Sequence, residues 1–148
     1  STQAELLIGG RETILLVDDE KSILEIGKDY LERYGYKVMT AGNGEEAVDI
    51  YQRLGDKINL VILDLIMPGR GGKKCLLDLL KINPGIKVLM ASGFANAAQE
   101  EELIKAGAAA FLHKPYQPDD FIIAIRNIMD GKSQSASGVT PLQIINGV

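Results

Sequence analysis

Ile14-Leu15-Leu16-Val17-Asp18-Asp19 carries four apolar residues straight into two adjacent acids. Short, uninterrupted apolar runs of this kind, rich in β-branched side chains, fit parallel strands buried on both faces. Two later stretches also run into a reactive group. Leu60-Val61-Ile62-Leu63 ends at Asp64, and Ala110-Phe111-Leu112-His113 leads into Lys114. In open parallel sheets, ligands bind outside the carboxyl ends of the strands. Three carboxylates and one ammonium are therefore expected to meet at one edge of one sheet, as a site for a divalent cation and a phosphoryl group.

Outward from these runs, strand and helix patterns alternate five times. Strands are expected near 13–17, 37–41, 59–64, 86–91 and 109–112, and helices near 22–34, 45–54, 71–82, 96–106 and 118–130. Such alternation implies right-handed βαβ crossovers and a five-stranded parallel sheet with helices on both faces, in a single domain. In the first helix, Ile23, Gly27, Tyr30, Leu31 and Tyr34 form the inward stripe, with Glu25, Lys28 and Glu32 outward. Ser22 and Glu25 match a capping box at its start, and Gly35 suits its end. Pro118, Asp119 and Asp120 fit the first turn of the last helix. Residues 1–11, with Gly9-Gly10, read as an N-terminal linker. Residues 12–130 form the domain, and 131–148 a flexible tail or linker with an apolar patch at Leu142, Ile144 and Ile145.

The bulk numbers exclude several function classes. A chain of 148 residues with 46% hydrophobic and 24% charged residues is long enough to bury a core without a staple. Its net charge is −4, and Lys73-Lys74 is the only adjacent basic pair, which argues against direct nucleic-acid binding. No apolar run reaches the ~20 residues of a membrane span, and no signal-peptide pattern opens the chain. Cys75 is the only cysteine and sits among Leu76, Leu77 and Leu79, so a buried thiol in a reducing, cytoplasmic setting is expected. The start at Ser1 without a methionine suggests a processed product or an excised fragment.

The chemistry follows from the residue types. Asp18, Asp19 and Asp64 in one cleft would repel one another unless a cation neutralised them, and an all-oxygen set suits Mg²⁺ or Mn²⁺. Mg²⁺ needs only one or two protein carboxylates, which leaves one free as a nucleophile. Lys114 supplies a point charge for an incoming phosphoryl group, and Ser92 a hydroxyl for another of its oxygens. Taken singly, each has a structural alternative: acids after strands cap helices, and Lys-Pro makes turns. The conjunction at four strand ends is what points to a site. His113, the only histidine, reads as a partly exposed strand-end residue, and Tyr116 as packing beside the Lys-Pro turn.

With ILLVDDE at 14–20, LVILDLIMPGRGG at 60–72, VLMASGF at 88–94 and AFLHKP at 110–115, the chain resembles the receiver domain of two-component response regulators over about residues 12–130. Asp64, Met67, Pro68 and Gly72 carry the most specific spacing. The resemblance implies a flavodoxin-like (βα)5 fold. It implies that Asp64 accepts a phosphoryl group from a phosphohistidine on a cognate histidine kinase or phosphotransfer protein. Asp18 and Asp19 would then bind Mg²⁺ with Asp64 and the backbone carbonyl of Ile66. Ser92 and Phe111 would occupy the switch positions, and Lys114 the lysine of the family motif. Phosphorylation would draw the loop after the fourth strand inward and let Phe111 enter the space vacated.

Four positions depart from the commonest pattern: Ser92 for threonine, Phe111 for tyrosine, Gly71 for aspartate, and Gln117 for a serine or threonine cap. Ile66 and Phe94 are apolar flanks of the phosphoryl site, expected to impede attacking water. Two other readings are an Mg²⁺-dependent phosphatase with an aspartyl nucleophile and a phosphorylation-independent interaction module. Ile66 opposes the first, because such enzymes place an acid there, and the complete acidic set with Lys114 opposes the second. The expected product is a monomer or weak homodimer, a stand-alone regulator or the receiver of a hybrid sensor kinase, with an unidentified output partner.

Overall fold

Strands that are apolar on both sides need cover on both sides, and the alternation of strand and helix supplies it. The computed structural model describes residues 7–67, 69, 71–93, 96–113 and 117–131. Its strands are β1 (Thr13–Val17), β2 (Lys37–Ala41), β3 (Leu60–Asp64), β4 (Val88–Ser92) and β5 (Ala110–His113). Its helices are α1 (Lys21–Arg33), α2 (Gly44–Leu54), α3 (Gly71–Ile82), α4 (Ala97–Ala106) and α5 (Pro118–Met129), with one 3-10 turn at Gly55–Lys57. All strand pairs are parallel and the order is β2-β1-β3-β4-β5. This is the doubly wound sheet expected, with the flavodoxin-like order.

Strand periodicity divides the core into two layers. Leu15, Val17, Val61, Leu63, Val88, Met90 and Phe111 pack with Ala47 and Tyr51 of α2, Cys75, Leu76 and Leu79 of α3, and Leu103 of α4. Ile14, Leu16, Leu60, Ile62, Leu89, Ala110 and Leu112 pack with Leu31 of α1 and Ile122, Ile125 and Ile128 of α5. Each fully buried Leu or Ile contributes roughly 1.5–3 kcal/mol of transfer free energy. Cys75 is buried, as its leucine neighbours imply.

The order reverses between β1 and β3, which leave the centre in opposite directions. That reversal opens a crevice at their carboxyl ends. Asp18 and Asp64 stand at its rim.

Some local readings need correction. Helix α1 begins one residue before Ser22, at Lys21, with Glu20 as N-cap and no side-chain cap bond, so the Ser22–Glu25 capping box does not form. The Asp18 carboxylate accepts from the Glu20 N–H at 2.9 Å, so that backbone donor is already served. Ile23 is exposed and Leu24 packs on the core in its place. Gly35 does close the helix, at φ +99°. Gln117 gives no side-chain cap, but Asp120 accepts from its N–H at 2.8 Å.

Gly9 and Gly10 lie close against α1. A Cβ on Gly9 would stand 1.9 Å from the Tyr34 carbonyl oxygen, which also accepts from the Gly10 N–H at 3.1 Å. Nearby, Arg126 of α5 donates to both oxygens of Glu12, at 2.8 and 3.0 Å, to Tyr36 Oη at 3.2 Å and to Asp130. This charge-assisted pairing holds the Glu12 carboxyl below its ordinary value. Tyr30 Oη of α1 donates to Asp119 Oδ1 of α5 at 2.7 Å, joining the two helices of that layer. The tail with Leu142, Ile144 and Ile145 lies outside the described residues.

Candidate functional site

Parallel pairing of β1 with β3 in the register Val17↔Leu63 puts the residues that follow, Asp18 and Asp64, side by side. Asp19 joins them. One carboxylate oxygen from each of the three lies within 4.8 Å of the others. Asp18 and Asp64 are half-buried and Asp19 is exposed. The backbone orients the group: the Asp18 N–H donates to the Ala41 carbonyl at 3.1 Å, and Asp64 Oδ1 accepts from the Ile66 N–H at 3.3 Å.

Three carboxylates this close repel one another, and a hard divalent cation offsets that repulsion. The donors are all oxygens, and one of the carboxylates stands in solvent. The set fits Mg²⁺ or Mn²⁺, which keep water ligands, better than a softer metal.

Ser92 ends the next strand. Its partner register, Asp64↔Ala91, places it one residue beyond the level of Asp64, and it is 1% exposed. The Leu65 N–H donates to the Ala91 carbonyl at 3.0 Å, tying the loop after β3 to β4. Gly72 then closes that loop: a Cβ there would lie 2.5 Å from Leu65 Cα and 2.6 Å from the Asp64 carbonyl oxygen. Gly71 has φ +76°, a left-handed conformation that favours glycine over the aspartate of the commonest pattern. Pro68, Phe94, Lys114 and Tyr116 lie outside the described residues.

The Phe111 ring lies inside, 1% exposed, rather than at the surface awaiting a vacated space. A phenyl ring has no hydroxyl to keep hydrated, so burial costs it nothing polar. His113, two residues on, is on the same face with its ring 5.2 Å from that of Phe111. It faces Glu100, a buried acid of α4 that the sequence reading did not single out. The signal available was spacing: Glu100 stands three residues before Leu103 on the inward stripe of the helix.

Beside the acids lies a largely apolar cleft of about 300 Å³, lined by Ile23, Ile26, Tyr30, Phe121 and Pro118, with Asp18 and Asp64 at its end.

A family profile described as the response regulator receiver domain matches residues 14–126. The chain belongs to the response regulator receiver family. The receiver is 35% identical over 116 residues to the chemotaxis protein CheY of Thermotoga maritima, covering 78% of this chain and 95% of that one. It is 32% identical over 123 residues to the sensor kinase CckA of Brucella abortus, covering 83% of this chain but only 13% of the kinase. Among solved structures, it superposes with a TM-score of 0.76 and 25% identity on the CheX–CheY–BeF3–Mg complex from Borrelia burgdorferi, covering 80% of this chain and 89% of that one.

Receiver domains are signalling domains rather than conventional enzymes, and they bind Mg²⁺ at an acidic pocket. They interact with histidine kinases or phosphotransfer proteins. Among the described residues, no helix is long and apolar enough to cross a membrane.

Proposed function

We propose that Asp64 of this receiver accepts a phosphoryl group from a phosphohistidine, in a reaction that requires Mg²⁺ held by Asp18, Asp19, Asp64 and the Ile66 carbonyl. The observation that carries this reading is the convergence of the three carboxylates at the switch point of the sheet. In the reaction, an Asp64 oxygen forms a bond to phosphorus as the bond from phosphorus to the donor imidazole nitrogen breaks, and the imidazole leaves with the electron pair. Mg²⁺ supplies neutralisation of the charge on the transferring oxygens. Asp18 and Asp19 hold the cation, and their own oxygens form no new bonds. The Ser92 hydroxyl donates to one phosphoryl oxygen, and Lys114 counters charge on another by virtue of its place in the motif.

The apolar cleft beside the acids suits the donor. Ile23 and Ile26 stand exposed on α1 at its edge, a surface on which an amphipathic helix bearing the phosphohistidine would bury apolar area. Capture of the new phosphoryl oxygens by Ser92 would draw in the loop after β4 and reshape the face made by α4, β5 and α5. A partner with higher affinity for that shape, whether separate or attached, would read it. Manganese is a chemical substitute at the same oxygens, and the setting proposed is the cytoplasm. The attached domains, if the receiver serves a longer protein such as a hybrid kinase, would set the output.

The test is intact mass and amide shifts with Mg²⁺ and acetyl phosphate, or with beryllofluoride as a phosphoryl stand-in. One phosphoryl group per chain is expected, with a saturable Mg²⁺ dependence. Asp64→Asn should abolish it. Asp19→Ala should abolish Mg²⁺ binding and phosphorylation together and, because that side chain is exposed, shift stability by no more than ~0.5 kcal/mol. Phosphorylation that survives Asp64→Asn would overturn the assignment.

A further inference from the structure

Helix α4 is thinly anchored. Its buried side chains are Glu100 and Leu103, whereas α5 buries Ile122, Ala124, Ile125 and Ile128. Half of the α4 anchor is therefore a carboxylic acid, 1% exposed, and it meets His113 Nε2 at the end of β5. Apart from this contact, both Glu100 oxygens and His113 Nε2 lack hydrogen-bond partners among the described residues. With the ring hydrogen of a neutral His113 on Nδ1, a buried carboxylate facing the bare Nε2 is an uncompensated charge, while a proton on the carboxyl gives an O–H donor to Nε2 and a satisfied hydrogen bond. The pair has a further neighbour in Phe111, whose ring contacts that of His113.

We propose that Glu100 and His113 form a proton-operated latch that fastens α4 to β5, closed when the pair holds one proton and released when that proton leaves.

The other charged groups nearby are engaged elsewhere. On α4, Glu101 pairs with Lys105 at 3.8 Å and Glu102 reaches Lys73 of α3 at 2.8 Å. On α3, Lys74 pairs with Asp78. The β4 neighbour of His113 in register is Ser92, which does not titrate in this range. Asp119 and Asp120 of α5 bind Tyr30 and the Gln117 N–H. Lys114, next along the chain, lies outside the described residues. Burial pushes the Glu100 carboxyl up to about 7 and lowers the His113 imidazole from its usual value. The latch is thus closed in mildly acidic solution with the proton on Glu100, and it opens as pH rises through about 7. The face built from α4 and β5 changes with it, without any change at Asp64.

The experiment is a pH titration of the full chain without phosphodonor. It follows the Glu100 carboxyl carbon, the His113 ring nitrogens and the hydrogen-exchange protection of α4 amides. A Glu100 midpoint near 7 is expected, with a fall of about tenfold or more in α4 protection across it, as for a ~1.4 kcal/mol change in opening free energy. Glu100→Gln, which keeps a donor facing Nε2 and cannot ionise, should flatten the profile at the protected level. A Glu100 midpoint in the ordinary carboxylate range, or α4 protection that ignores the Glu100 titration, would overturn the latch. The wild-type chain alone decides this if the variant fails to fold. Since nothing in it depends on phosphorylation, failure here leaves the phosphotransfer reading standing.

Discussion

Ile66 is 54% exposed two residues beyond Asp64, and its N–H is turned onto that carboxylate. An apolar side chain at this position offers water no hydrogen bond on its approach to an acyl phosphate. Phe94, two residues past Ser92, is the matching apolar position on the other flank, as read from the sequence. Making Ile66 polar, as in Ile66→Asn, should therefore shorten the phosphoryl half-life by roughly three- to tenfold, the effect of about 1 kcal/mol on the barrier. Decay of the phosphorylated chain followed by ³¹P NMR measures it directly. A half-life that lengthens when Ile66 and Phe94 are both made polar would refute the shielding role.

At the scale of elements, the loop from β3 to α3 is fixed by contact with its own backbone. A methyl group on Gly72 would collide with Leu65 Cα and the Asp64 carbonyl oxygen, neither of which is the end of a flexible side chain. Gly72→Ala is expected to cost roughly 1–3 kcal/mol, as overpacking does, and to weaken Mg²⁺ affinity by moving the segment that carries Asp64 and Ile66. Chemical denaturation and a Mg²⁺ titration separate the two effects.

How well each element could be read from the sequence follows the same physics. Four strands were legible because their faces are covered, which forces the apolar runs at 14–17, 60–63, 88–91 and 110–112. By contrast, β2 lies at the sheet edge, opens on the exposed Lys37 and is only partly buried. The acids of the site were legible for a related reason: each follows such a run. The start of α1 was not, since the helix begins at Lys21 with Glu20 as N-cap, which puts Ser22 inside the first turn instead of at the cap. Glu100 was hidden by its company. In Gln99-Glu100-Glu101-Glu102 composition says surface, and only the three-residue step to Leu103 betrays the inward one.

Over the whole molecule, Glu100 and His113 bear on stability in opposite senses. Glu100 stays protonated in the folded chain above its ordinary 4.5 and up to about 7, so its contribution is lost as pH rises through that window. His113, lowered from 6.5, contributes above that value and loses its contribution as pH falls. Above 6.5 only the Glu100 contribution still changes, so the denaturation midpoint should fall as pH rises from about 6.5 through about 7 in the wild type and level off beyond, and Glu100→Gln should remove the fall. A midpoint equally flat in both chains would show that the acid titrates as if exposed. A different consequence of the fold concerns Arg126, whose guanidinium grips Glu12, just before β1, and Asp130, just after α5. The polypeptide thus enters and leaves through one doorway, at the amino end of β1 and away from the carboxyl edge that bears the acids. The described chain is in effect a loop closed by one ionic clasp, so that its two ends share a single seam and the three acids stand clear of it.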